Sequence, residues 1–142
     1  MELIRRKTDY ALRCLVVLAQ APPRQLVSVH YLAQTEEFPE DLLHKIMQAL
    51  GRAKLVRGTR GRSGGFRLGK APEKITVLRV LETLQGPFTV NRCFLSTDHP
   101  FRREVSSLHK KLVAIQEELI SFFRSVTIAD LVHRGSQLPS RT

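Results

Sequence analysis

Cysteine is scarce in this chain. Cys14 and Cys93 are the only two in 142 residues. That is too few for a secreted disulfide framework, and their spacing fits no zinc finger. No apolar run reaches the length of a membrane span, and the opening MELIRRKTDY lacks the apolar core of a signal peptide. The expectation is a cytoplasmic protein that does not contact a membrane, where both thiols stay reduced. Internal repeats and low-complexity tracts are absent. So are a nucleophile elbow and a phosphate loop, and the Gly64-Gly65 pair lacks the strand-to-helix setting of a dinucleotide site. Nothing in the chain argues for an enzyme. Acidic residues are also in short supply: 13 against 23 lysines and arginines, for a net charge of +10. Such a surplus calls for a polyanionic partner.

What is present is an ordinary globular composition, 42% hydrophobic and 25% charged, long enough to bury a core without staples. Residues Arg6 to Gln20 form a helix with Ala11, Cys14, Leu15 and Leu18 on one face, stopped by Pro22 and Pro23. Ser28 is an N-cap for a second helix, Val29 to Thr35. Pro39 suits the first position of a third, with Leu42, Leu43, Ile46, Met47 and Leu50 inward and Asp41, His44, Lys45, Gln48 and Arg52 outward. A β-hairpin follows, its strands at Leu55-Val56 and Phe66-Leu68 and its tip rich in glycine and arginine. Thr76 caps a helix over Val77 to Leu84, ended by Gly86-Pro87. Pro100 opens a long helix in which Phe101, Val105, Leu108, Leu112, Ile115, Leu119, Phe122 and Val126 alternate spacings of four and three. That is a heptad seam, and it asks for a partner helix. Thr127 with Asp130 reads as a capping box for a last short turn.

Helix, turn, amphipathic helix and basic hairpin is the layout of a winged helix-turn-helix. The fold class expected is therefore mainly α with a small β-hairpin wing, plus a long C-terminal dimerisation helix. The division expected is 1–88 for the winged domain, 89–100 for a sensor-loop equivalent, 101–132 for the dimerisation helix and terminal turn, and 133–142 for a flexible tail. Charge is placed to match. No acidic residue lies between Asp41 and Glu73, while that stretch holds Lys45, Arg52, Lys54, Arg57, Arg60, Arg62, Arg67 and Lys70. Cations of this kind neutralise phosphates and release counterions. The expected double-stranded DNA contacts are Asp41, His44, Lys45, Gln48 and Arg52 on the third helix and Arg57, Arg60, Arg62 and Arg67 on the wing. Arg60 and Arg62 are free to enter a minor groove. The expected homodimer interface is Val105, Leu108, Leu112, Ile115, Leu119 and Phe122.

Three segments, KTDYALRCLVVLA, GRAKLVRGTRGRSGGFRLGKAPEKITVLRVLETLQGP and TIADLV, resemble in order the bacterial winged-helix repressor family that includes IscR, NsrR and CymR, the Rrf-two family. The resemblance covers about nine-tenths of the chain, and the wing RG-x-x-GG-F-x-L followed by P-x-x-IT-V is its most specific part. It implies a homodimer on a pseudo-palindromic operator, with a long helix crossing its partner. It also implies base reading from the positions of Asp41, His44 and Lys45, and a minor-groove arginine at Arg60. Two readings of Asp41 stand: acceptance of a hydrogen bond from cytosine, or complement to the helix N-terminus.

Many members of that family hold an iron–sulfur cluster on three cysteines before the long helix, with a fourth ligand from elsewhere. Here Cys93 matches the first cysteine, His99 stands at the second, and Val105 occupies the third, which cannot ligate. His109 aligns with a helix histidine, and Asp9 with an aspartate used across the dimer. The ligand set implied for a [2Fe-2S] cluster is thus Cys93, His99, His109 and Asp9, incomplete relative to the family. A Cys/His/Asp set also suits zinc or another divalent ion. The alternatives are a cluster-free regulator controlled by thiol oxidation at Cys93 or by a regulatory protein partner, and a winged-helix interaction module that does not read DNA. Repression is the expected outcome of binding, with a redox, iron–sulfur or nitric-oxide signal where a cluster is held.

Overall fold

The computed structural model describes residues 2–90 and 106–136. Helix α1 spans Arg6–Gln20, α2 Val29–Glu36 and α3 Glu40–Arg52. Strands β1, Val56–Thr59, and β2, Gly65–Leu68, form an antiparallel hairpin, and a short 3-10 turn covers Pro72–Lys74. Helix α4 is Val77–Gln85, α5 Ser106–Ser125 and α6 Ile128–Ser136. This is the mainly helical winged fold expected from the periodicity.

Local chemistry sets the helix ends. Ser28 Oγ accepts from the Tyr31 N–H at 3.1 Å to start α2, and Thr76 Oγ1 accepts from Arg79 at 3.1 Å to start α4. Each cap satisfies a donor the helix itself leaves open. Helix α2 stops where Glu37 adopts a left-handed conformation, φ 51°, and the Phe38 N–H turns back to the Ala33 carbonyl at 3.0 Å. This makes the tight turn into α3. At α6 the expected capping box is closed in both directions: Thr127 N–H to Asp130 Oδ2 at 2.9 Å and Asp130 N–H to Thr127 Oγ1 at 3.2 Å.

The core is continuous from end to end of the chain. Leu15, Leu32, Leu43, Met47, Leu50, Leu55, Ile75, Leu81 and Ile128 are fully buried. Ile128 and Phe123 come from the C-terminal segment yet join the same cluster as α1 and α4. Two backbone bonds fix that docking: Val77 N–H to the Val126 carbonyl and Ile128 N–H to the Ile75 carbonyl, both 2.9 Å. Phe123 meets Phe88 edge to face, with ring centroids 5.5 Å apart. Val90 donates its N–H to Gln116 Oε1 at 3.0 Å, tying the segment after α4 to α5. Helix α5 is therefore packed at its C-terminal end on the domain that carries the wing.

Three expectations change. The last turn is a nine-residue helix that reaches Ser136, so residues 133–136 are not tail. Its capping box and the contact of α6 with α1 allow it to extend. Leu42, expected in the apolar face of α3, is 47% exposed. The buried face needs only Leu43, Ile46, Met47 and Leu50. Leu119, expected in the seam, also packs against the core of its own chain, because this end of α5 is docked on α4. Val105, Cys93, His99, Phe101 and the helix start expected at Pro100 lie outside the described residues.

Candidate nucleic-acid interface

The face that carries the charge is built from α2, α3 and the wing. Helix α3 turns its buried stripe into the core, which leaves Asp41, His44, Lys45, Gln48 and Arg52 exposed on the opposite side. All five expected contacts of this helix share one surface. Pro39 offers α3 no side-chain cap, and Glu40 and Asp41 stand in its first turn. Two carboxylates there complement the positive end of the helix. That observation favours the second of the two readings of Asp41. Arg52 sits in the last turn, where a cation suits the opposite end.

The wing is anchored before it reaches out. Val27 pairs with Phe66 through two backbone bonds, 2.9 and 2.8 Å, so β2 is held to the residue just before the Ser28 cap of α2. Gly65 makes this approach: its φ is +155°, and a Cβ there would overlap the Val27 carbonyl. In the hairpin, Val56 pairs with Leu68, Arg57 with Arg67, Gly58 with Phe66 and Thr59 with Gly65. Arg57 and Arg67 stand directly opposite each other. Like charges so placed destabilise a free sheet, and an arriving anion relieves them. Between the strands, Arg60, Gly61 and Arg62 form the exposed tip. Gly61 has φ +116° with open space around its Cα, so a larger residue would be strained there rather than crowded.

Between α3 and the wing runs a groove. Ser28 and His30 of α2, Glu40, His44 and Gln48 of α3, and Thr59, Arg60 and Arg62 of the wing line it. None of Lys45, Arg52, Lys54, Arg57, Arg60, Arg62, Arg67 and Lys70 is held in an ion pair among the described residues; the pairs there are Arg13 with Asp9, Arg13 with Glu36, and His30 with Glu40. Among the described residues this surface thus carries positive charge without ion-pair partners, beside the groove. Sequence reasoning missed His30 and Glu40. They sit ten residues apart on different helices, and only the turn between α2 and α3 brings His30 Nδ1 to 3.1 Å from Glu40 Oε2.

A second exposed surface runs along α5. Leu108, Ile115 and Phe122, each seven residues from the next, are 50%, 48% and 56% exposed, and Val113 is also exposed. Leu112 is half-buried.

The expected metal ligands divide. Asp9 is bound to Arg13 at 3.0 Å across one helical turn, and His109 lies half-buried on α5. Among the described residues no three His, Cys, Asp or Glu side chains are grouped to hold a metal ion. Cys14 is buried in the core, and burial, aided by the nearby Glu36 charge, pushes its thiol up to about 12. A thiol so protonated is neither a nucleophile nor a ligand at neutral pH. No helix among the described residues is long and apolar enough to cross a membrane.

Known proteins share this arrangement. Residues 4–134 match the Rrf2 family, described as an iron-dependent transcriptional regulator. The HTH-type transcriptional regulator NsrR of Bacillus licheniformis is 38% identical over 87 residues, 61% of this chain and 61% of that protein. The chain spans about three-fifths of the length of the NsrR relatives it matches. In structure it is similar to CymR (YrzC), the global cysteine regulator of B. subtilis, with a TM-score of 0.76 and 26% identity over 94% of this chain and 98% of that one. It is also similar to IscR of T. potens, with a TM-score of 0.68 and 26% identity over 96% and 92% of the two chains. The winged helical domain, its basic face and the match along nearly the whole chain place this protein in the Rrf2 family of DNA-binding transcriptional regulators.

Proposed function

We propose that the protein is a cytoplasmic, homodimeric, sequence-specific repressor that binds a pseudo-palindromic operator. The observation that carries this reading is the segment of α3 and the wing, where eight cations stand without ion-pair partners among the described residues and with no acidic residue between them in sequence. Helix α3 enters the major groove and presents His44, Lys45 and Gln48 to base edges. Arg57, Arg67 and Arg52 hold phosphates, and Arg60 with Arg62 reaches the adjoining minor groove. Asp41 serves mainly the N-terminus of α3. The exposed Leu108, Ile115 and Phe122 of α5 supply the seam to a second copy, with Leu112 and Leu119 beside them and Val105 continuing the heptad. One winged domain then contacts one half-site.

Binding of a mixed-sequence duplex, followed by fluorescence anisotropy across a salt series, tests the electrostatic part. A steep fall in affinity with salt is expected. A duplex selected from a random pool by the protein tests sequence reading, and its two-fold symmetry tests the dimer.

The description of the family as iron-dependent supports a cluster in the segment before α5. Cys93, His99, His109 and Asp9 are its candidate ligands, and a bound [2Fe-2S] group would supply a redox-sensitive link between that segment and the dimer helix. Absorbance of anaerobically purified protein, with iron and sulfide counts, decides this. A colourless, iron-free protein whose operator affinity is unchanged by Cys93→Ser overturns it.

A further inference from the structure

We propose that His30 is a DNA-phosphate contact that is protonated when DNA binds, and that Glu40 holds it in place. The proposal rests on the DNA-binding reading and adds to it a residue of α2 and a proton. His30 stands in the first turn of α2, a helix end that favours anions, on the wall of the groove shared with α3 and the wing. Its side chain is 66% exposed and Glu40 is 45% exposed, so the pair is open to an arriving strand.

The two ring nitrogens have different neighbours. Nδ1 meets Glu40 Oε2 at 3.1 Å. Nε2 has no protein partner among the described residues. A neutral imidazole that donates from Nδ1 to a carboxylate presents only a lone pair at Nε2, which a phosphate oxygen cannot use. The imidazolium donates from both. A phosphate at Nε2 and the carboxylate at Nδ1 therefore each stabilise the same protonated ring, one from either side. Histidine is the side chain type whose charge changes near neutral pH.

Besides complementing the N-terminus of α3, Glu40 lines the groove proposed to receive the DNA backbone, where a bare carboxylate would repel phosphates. Paired with a protonated His30 it becomes the neutralised back of a cationic contact. The other charged or titratable groups that line this groove are His44 of α3 and Arg60 and Arg62 of the wing. From α1, Arg13 meets α2 only at Glu36, at the opposite end of that helix. His30 is thus the titratable group of the groove that is already seated on a carboxylate.

The test measures the affinity of the full chain for a mixed-sequence duplex at pH 6 and pH 8, at constant ionic strength. The wild-type protein should bind about three- to tenfold more weakly at pH 8, since one linked proton shifts a binding constant at most about tenfold per pH unit. His30→Gln should remove most of this difference and lower the salt slope at pH 6 by about one, the loss of one phosphate contact. His30→Lys, a cation at both pH values, should bind at pH 8 nearly as the wild type does at pH 6. Glu40→Gln should bind more tightly at pH 8 and show a flatter pH profile. His44→Gln should keep the pH dependence. Equal pH dependence in wild type and His30→Gln, or its disappearance in His44→Gln, overturns the proposal while leaving DNA binding standing. A wild-type protein that binds no duplex at low salt overturns both. Thermal melts of each variant confirm that an exposed side chain was changed without loss of the fold.

Discussion

The α3–wing face and the outer face of α5 are both unfinished surfaces, and they are unfinished in opposite ways. The first carries eight cations that have no ion-pair partner among the described residues. The second exposes Leu108, Ile115 and Phe122 at heptad spacing. Unpaired charge is stable in water and costs little while it waits. Exposed apolar area is not, and burying one such side chain is worth about 1.5–3 kcal/mol. The apolar face should therefore be covered permanently and the charged face only when its ligand arrives. On the proposed reading, the two kinds of exposure serve two kinds of partner.

The sharpest way to break this comparison is to put a charge in the apolar face. Ile115→Glu would bury an unpaired carboxylate twice in a symmetric seam. We expect monomer or aggregate by sedimentation and no operator binding, because one winged domain reaches one half-site. A variant that sediments as an intact dimer and still binds would move the interface elsewhere.

A second change separates the seam from the core beneath it. Ile128→Ala empties a fully buried site where α6 meets the 3-10 turn before α4. It should cost about 2–5 kcal/mol of stability in chemical denaturation, in line with other large-to-small core substitutions. If stability falls by much less, α6 is not docked as described.

On the charged face the expected effects are smaller and of two sorts. His44→Ala and Lys45→Ala should each cost about 1–3 kcal/mol on the selected operator and less on random duplex. An equal loss on both would make them positioning contacts. Arg60→Ala or Arg62→Ala should weaken all duplexes and lower the salt slope by about one. Greater loss on A·T-rich sites would place the arginine in a narrow minor groove. An unchanged slope for both would remove the wing from the interface.

The smallest effect concerns Cys14. In a Cys93→Ser background, the native protein should leave a thiol reagent unreacted at pH 8, because burial keeps the Cys14 thiol protonated up to about 12. The unfolded thiol ionises near pH 8.5. Folding stability should then decline as pH rises from about 8.5 toward 12, since over that window the unfolded state has released a proton that the native state retains. Rapid labelling in native buffer would contradict the burial.

Much of this was legible before any coordinates. The 3.6-residue periodicity of α1 and α3, the caps at Ser28 and Thr76 and the Thr127–Asp130 box are local signals, and each element formed where they point. Leu42 was misread because a five-member apolar stripe looks continuous in sequence, while the core had room for four of its members. The helical reach of α6 past residue 132 was also missed, since its support is contact with α1 rather than propensity.

By itself the sequence determined which segments become helix and hairpin, the sign of the charge on one face and the heptad spacing on another. Those properties depend on neighbours a few residues apart, where backbone geometry and side-chain period act directly. Tertiary structure alone decided that Ile128 closes the same core as Leu15, that Val27 anchors the wing through Phe66, and that His30 meets Glu40 beside the groove. These contacts join residues whose separation carries no periodic signal, and they exist only once buried apolar surface has fixed the helices against one another.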